Sequence, residues 1–338
     1  MNKNTFAFAF DIEPISNAFN DIRIYHLLKS AFDFDLFRTI GNNHFTVSQL
    51  AEKTGSSQRG MMFFLNALTA LGFLEKEKET YKLSLLSKQL FLEDSPDYIG
   101  DLLQSPFLNE DWEKLTEAIR RGGPLEGVEG QAKAEEFFPK LIRFLHVLHR
   151  NVAVKAAQVI GAGTVHNGLH VLDVGCGSAV WSIAIALADS KAQVTAVDFP
   201  KVIEHTRSYV QRHGVADRYH YLAGNIEEIN YPSKDYDLVI LANILHSEGE
   251  KKSRVLLKKF SELTTSTSQI AIIEFLPNRQ RTSPVEAILF GLRMLINTTE
   301  GGIYSAEEFE EWLKEVGFSK ISYHDIGSHS PLLLASKN

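Results

Sequence analysis

Cysteine is nearly absent: Cys176 is the one thiol in 338 residues. A single thiol excludes an intrachain disulfide and a thiolate zinc cluster, and it fits a reducing compartment. No stretch approaches the roughly 18 apolar residues that a membrane span needs. The opening Met1 to Phe10 holds too short an apolar run for a secretory signal, and Asp11 and Glu13 follow at once. Positive charge is also scarce: 35 Lys and Arg stand against 42 Asp and Glu, a net charge of −7. A chain of this balance lacks the concentrated basic face of a nucleic-acid binder. Internal repeats and low-complexity segments are missing too. These absences lead us to expect a cytoplasmic globular protein without a nucleic-acid or membrane partner.

What is present is ordinary globular composition, 44% hydrophobic and 23% charged, over a length that suggests two domains. Residues 15 to 40 carry helical periodicity (Ile15, Phe19, Ile22, Leu27, Leu28, Phe32, Leu36, Ile40), closed by Gly41. Thr46 and Gln49 then fit a capping box, with Gly55 where a short helix would stop. Ser56 or Ser57 can cap the next helix, which carries Met61, Met62, Leu65 and Leu68. A strand at Phe73, a charged turn from Lys76 to Thr80 and a second strand from Tyr81 complete a winged-helix order. Residues 85 to 165 read as mostly helical, with turns at Ser95-Pro96 and Gly122-Gly-Pro124.

From about residue 168 the texture changes. Short β-rich runs at 170–173, 193–197, 219–222, 237–241 and 269–273 alternate with helical patterns, which indicates a parallel sheet with crossover helices. The fold class is therefore α/β, a Rossmann-like domain behind a mainly helical winged-helix domain. The first of these strands runs into Val171-Leu-Asp-Val-Gly-Cys-Gly-Ser-Ala-Val-Trp181. Gly175 and Gly177 allow a tight turn and close backbone approach by a ligand. A pyrophosphate fingerprint would place a third glycine at Val180, and Asp173 ahead of the loop is equally unlike a phosphate cradle. Asp198, ending the next strand, can accept hydrogen bonds from two ribose hydroxyls. Cys176 has no activating partner nearby and reads as a packing residue.

On these residues the chain resembles the small-molecule O-methyltransferases that include plant caffeate and flavonoid enzymes, acetylserotonin methyltransferases and bacterial natural-product tailoring enzymes. Tyr25-His-Leu-Leu-Lys-Ser-Ala and Asp35-Leu-Phe resemble the family's opening helix. Trp112 through Gly122 resembles its W-x-x-L…G segment, and Asp198-Phe-Pro its D-L-P signature. Leu245-His-Ser-Glu resembles its L-H-D-W segment, and Ile273-Glu-Phe-Leu-Pro277 its glutamate-bearing strand. The resemblance implies S-adenosylmethionine as cofactor, without a metal, and a homodimer formed by the N-terminal domain. It implies a winged-helix-like dimerisation domain at 1–105, a helical connector at 106–165 contributing to the acceptor site, and a methyltransferase domain at 166–338.

By the same resemblance, Asp173, Gly175, Gly177, Asp198, Phe199, Asn225, Ile226 and Asn243 hold the cofactor. His246 is the general base and Glu274 orients it. The acceptor, an aromatic or polyketide-like molecule with an acidic hydroxyl, meets Phe107, Trp112, Phe144, His149, Met294, Asn297 and Glu300. Histidine suits proton removal from a phenol because it titrates near neutrality. The sequence departs from the family at Ala179 (a glycine in relatives), at Asn225 (an acid), at Ser247-Glu248 after the histidine, and at Ile303 or Tyr304, where a second glutamate would fall and Glu300 is the candidate substitute. A C- or N-methyltransferase, or a non-methylating enzyme of this fold, is therefore the alternative reading. A winged-helix DNA-binding regulator is the other, although the helix from Ser57 to Leu68 offers only Gln58, Arg59 and Asn66 among apolar residues. His146 and His149, three apart on a helix, have metal-ligand spacing but no third ligand.

Overall fold

The structure, a computed structural model, describes residues 11–105, 110–127, 131–232 and 234–337. It divides into two compact units, Met1–Ser105 and Pro106–Asn338.

In the first unit, α1 (Glu13–Asp33) and α2 (Leu36–Ile40) share the periodic run 15–40. The run is two helices rather than one because Asp35 turns left-handed, with φ 52°. There follow β1 (Phe45–Thr46), α3 (Val47–Thr54), α4 (Gln58–Ala70), β2 (Leu74–Glu77), β3 (Thr80–Leu83), α5 (Leu85–Phe91) and α6 (Gly100–Leu103). The expected capping box forms: the Thr46 amide donates to Gln49 Oε1 at 2.8 Å, and the Gln49 amide to Thr46 Oγ1 at 3.3 Å. Ser57 caps α4 by accepting from the Gly60 amide at 3.1 Å. The three strands pair antiparallel in the order β1-β3-β2, which completes the winged helix. Met61, Leu65 and Leu68, spaced as one helical face, bury α4 against Leu36, Phe37, Ile40 and Leu50. The inner face of the would-be recognition helix is thus spent on the core.

The second unit begins with α7 (Glu110–Glu113), α8 (Leu115–Arg121) and the long α9 (Gln131–Ile160). The chain then alternates: β4 (His170–Val174), α10 (Val180–Ala188), β5 (Gln193–Asp198), α11 (Pro200–Arg212), β6 (Tyr219–Ala223), β7 (Tyr236–Ala242), α12 (Leu245–Ser261) and β8 (Thr264–Ile273). It closes with α13 (Val285–Asn297), α14 (Ala306–Glu315), β9 (Lys320–His324) and β10 (Leu332–Ser336). The seven strands run in the order β6-β5-β4-β7-β8-β10-β9, with β10 antiparallel to both neighbours. All five expected strands are present, and β8 starts earlier than expected, at Thr264. The final pair was not anticipated. Of the five β9 residues three are exposed and two half-buried, so the strand carries little apolar signal, and the leucine run of β10 suits a helix as well as a strand.

Period-two alternation builds two cores. Val171, Val194, Ala196, Leu238 and Ile240 pack towards α9, α10 and α11. Their neighbours Leu172, Val174, Val197, Val239 and Leu241 pack towards α12 and α14. Strand order reverses at β4, with β5 on one side and β7 on the other. Ligands of open α/β sheets bind in the crevice outside such a switch point, at the carboxyl ends of the strands.

Candidate active site

A cavity of about 510 Å³ occupies that crevice. Its floor is the loop after β4, where Gly175 and Gly177 adopt φ 61° and 54°. A β-carbon on Gly175 would fall 2.1 Å from Ile244 Cδ1, so only glycine lets β4 pass this close to the β7 loop. Ala179 is also left-handed, φ 57°, a conformation that glycine adopts more readily. Asp198 ends β5 with both oxygens engaged: Oδ2 accepts from the Gly177 amide at 2.9 Å and Oδ1 from the Phe199 amide at 2.8 Å. Burial nevertheless pushes this carboxyl up to about 6. Asp173 is deeper. It accepts from the Ser182 hydroxyl, which in turn receives the Tyr219 hydroxyl at 3.1 Å. Burial drives Asp173 up to about 7. It does not line the cavity; it ties the first turns of α10 to β4 from behind the loop.

The wall beyond β5 is the turn after β6. Asn225 and Ile226 line it, and Asn225 Oδ1 accepts from the Glu227 amide at 3.0 Å. The turn is tied down from below: the Ile226 carbonyl receives the Tyr231 hydroxyl and the Lys259 ammonium, each at 3.1 Å, and Lys259 also reaches the Glu227 carbonyl at 2.7 Å. Phe199 and Asn243 join the lining, as expected, and Asn243 sits left-handed at φ 57° where β7 ends. Asparagine tolerates that conformation better than most residues.

His246 and Glu274 do not themselves line this cavity; in the chain His246 stands between two residues that do, Ile244 and Ser247. Glu274 is buried at the end of β8. Its Oε1 accepts the Leu245 amide at 2.9 Å, and its Oε2 lies 2.7 Å from His246 Nδ1. A carboxylate oxygen can only accept, so in the neutral imidazole Nδ1 carries the proton and Nε2 the lone pair. Phe290 of α13 meets the imidazole edge-on at 4.7 Å and stacks on Phe275 at 4.1 Å, fixing the ring.

The acceptor candidates divide. His149 and Glu300 line the cavity, and burial holds the His149 imidazole down at about 4, so it is neutral. Trp112, Phe144, Met294 and Asn297 do not line it. Trp112 lies over the Arg293 guanidinium, and Met294 and Asn297 are buried on α13. Phe107 lies outside the described residues. Tyr304 packs with Phe309 and Trp312 and carries no carboxylate; Glu300, which carries one, lines the cavity. His146 Nδ1 is 3.0 Å from the Ser178 hydroxyl, and no metal-ready group of His, Cys, Asp or Glu occurs among the described residues. Cys176 lines the cavity with its thiol pushed up by burial, an unreactive state.

Sequence reasoning missed Ile142 and Leu145, which share a face of α9 with His149, and Glu227, Glu248, Lys252, Thr298 and Thr299. The α9 trio was visible as i, i+3, i+7 spacing. The others depend on tertiary contacts. No described helix is long and apolar enough to cross a membrane.

The family model for the O-methyltransferase domain matches residues 112–319, and that for the O-methyltransferase dimerisation domain matches 17–93. Among characterised relatives, the 3-hydroxy-5-methyl-1-naphthoate 3-O-methyltransferase of Streptomyces sahachiroi is 26% identical over 304 residues, 87% of this chain and 86% of the relative. The tetracenomycin polyketide synthesis 8-O-methyl transferase of Streptomyces glaucescens is 25% identical, covering 97% of this chain and 96% of the relative. A Nostoc punctiforme chain assigned as an O-methyltransferase superposes with TM-score 0.79 at 28% identity, over 98% of this chain and 100% of that one. Human N-acetylserotonin methyltransferase, solved with SAM, gives 0.76 at 18% identity over 98% and 100%, a likeness of fold.

Proposed function

The chain belongs to the O-methyltransferase family, and from that premise we propose that it methylates a hydroxyl of an aromatic or polyketide-like small molecule, with S-adenosylmethionine as donor and His246 as general base. The observation that carries this reading is the His246–Glu274 pair, 2.7 Å apart, in a segment whose neighbours Ile244 and Ser247 line the cavity.

The cavity suits the cofactor. Gly175 and Gly177 bring backbone to its floor, Asp198 offers a carboxylate at the end of β5, and Phe199 and Ile226 supply apolar surface for a base. Bound there, S-adenosylmethionine supplies a methyl group already activated by its sulfonium. The protein's own task is to seat an acceptor in line and remove its proton. A phenol has a pKa near 10, so its oxygen attacks far better once Nε2 of His246 has taken the proton. Glu274 then steadies the imidazolium, as it steadies the neutral tautomer beforehand. His149 and Glu300 are the acceptor contacts we favour, since both reach the cavity. The relatives' named substrates, a hydroxynaphthoate and a polyketide, support an aromatic acceptor from specialised metabolism. We assign dimerisation to residues 1–105, part of the acceptor site to 106–165 and the catalytic fold to 166–338.

The test is methyl transfer from S-adenosylmethionine to a panel of hydroxynaphthoates and polyketide phenols, read by mass spectrometry. His246→Ala should lower the rate roughly 100-fold or more while leaving cofactor affinity unchanged. An unaltered rate would remove the general base and move the reading to transfer onto carbon or nitrogen.

A further inference from the structure

The site must recognise a base as well as a ribose. Asp198 closes β5, and β6 is the next strand outward, so a ribose held at Asp198 directs its base to the turn Gly224–Glu227. An adenine edge presents an exocyclic amine that donates and ring nitrogens that accept. The amine needs an acceptor in that wall. Asn225 is ill suited to supply it. Its oxygen is already turned to the Glu227 amide at 3.0 Å, and its other arm is itself a donor. The backbone after it is held in place, since Lys259 and Tyr231 bond the Ile226 carbonyl and Lys259 the Glu227 carbonyl.

A carboxylate does face this end of the cavity, from another element. Glu248 lies at the start of α12, just ahead of a break in the helix at Gly249 (φ 77°, ψ 162°), and lines the cavity together with Lys252 beyond the break. Lys252 joins it to the β6 turn: its ammonium lies 3.2 Å from Glu227 and 3.8 Å from Glu248. Leu245, which opens α12, is tied on both sides: Glu274 accepts its amide and the Ser253 hydroxyl donates to its carbonyl at 2.9 Å.

We infer that Glu248 is a cofactor-specificity residue, its carboxylate accepting the exocyclic amine of adenine while Lys252 links it to the β6 turn. This rests on the reading of the cavity as an S-adenosylmethionine site. Burial and the neighbouring Glu227 charge raise the Glu248 carboxyl against the opposing pull of Lys252, which marks a partly dry carboxylate. In such surroundings a hydrogen bond to a charged acceptor is at its strongest.

Titration calorimetry decides it, using S-adenosylhomocysteine and S-inosylhomocysteine, in which a carbonyl replaces the amine. The wild type should prefer the adenosyl ligand. Glu248→Ala should weaken adenosyl binding about 10-fold or more and erase the preference, since bonds to charged groups are worth that much. Glu248→Gln, which retains one acceptor oxygen, should restore part of it. Asn225→Ala should leave the preference standing. Thermal melts of each variant confirm that it is folded. A Glu248→Ala protein with wild-type preference, or an Asn225→Ala protein without any, overturns the assignment while the cofactor reading survives. A wild type that binds neither ligand overturns both.

Discussion

Asp198 shows how a single side chain couples structure to chemistry. Its carboxyl titrates at about 6 in the free protein because burial disfavours the charge more than two backbone amides favour it. A ribose diol donates hydrogen bonds, so it binds the ionised form; protonation removes an acceptor and adds a competing donor. Affinity for S-adenosylhomocysteine should therefore fall as pH drops through about 6 and be flat above it, with protons released on binding near pH 6. Calorimetry across pH 5 to 8 in buffers of differing ionisation heat checks this, and Asp198→Asn should bind weakly with no such slope. A wild-type profile without a break there would remove Asp198 from the ribose. This residue was legible because its signal is local: an acid at the end of the strand after a glycine loop. Trp112, Phe144, Met294 and Asn297 were named from family position and do not line this cavity, since which face a helical side chain presents is set by packing. Glu248 was noted only as a departure after the histidine, not as a site residue, for the converse reason. Its link to the β6 turn joins segments that sequence spacing leaves unrelated, and only the fold brings Lys252 to Glu227.

At the scale of elements, the loop between β4 and α10 is fitted to the loop between β7 and α12. Gly175→Ala would set a methyl 2.1 Å from Ile244 Cδ1 in a backbone with φ 61°, so strain and overlap act together. The substitution should destabilise the protein by about 1–3 kcal/mol and weaken S-adenosylhomocysteine binding. Ile244→Ala in the same chain should relieve the overlap but not the backbone strain, recovering part of the loss in thermal melts. Full recovery would show that φ costs nothing there; no recovery would show that Ile244 is not the obstacle. Local chemistry made most elements readable. Thr46 with Gln49 announced α3, Ser56 or Ser57 announced α4, and short β-rich runs announced β4, β5 and β7. The break at Asp35 and the strands β9 and β10 lacked such marks. A left-handed aspartate carries no sequence signature, and an edge strand in contact with water needs no apolar pattern.

For the molecule as a whole, the exposed apolar residues of α1 pose a question that one chain does not answer. Ile15, Phe19 and Ile22, at i, i+4 and i+7, form one stripe with Ile12 just ahead of the helix, and all four are more than half exposed. A stripe of this kind is unfavourable in water unless something covers it. The chain carries the family's dimerisation domain over residues 17–93, which includes most of this helix, so a second copy is the natural cover. Phe19→Asp with Ile22→Asp should turn the dimer into a monomer in light scattering, with the circular dichroism of the folded chain unchanged. The unfolding midpoint of the wild type should rise with protein concentration, as it must when association stabilises the folded state, and that of the double variant should not. If the variant remains dimeric, the stripe is not the interface. If the wild type is monomeric at micromolar concentration, the stripe meets some other surface, and the matched dimerisation domain does not pair in this protein as it does elsewhere in the family.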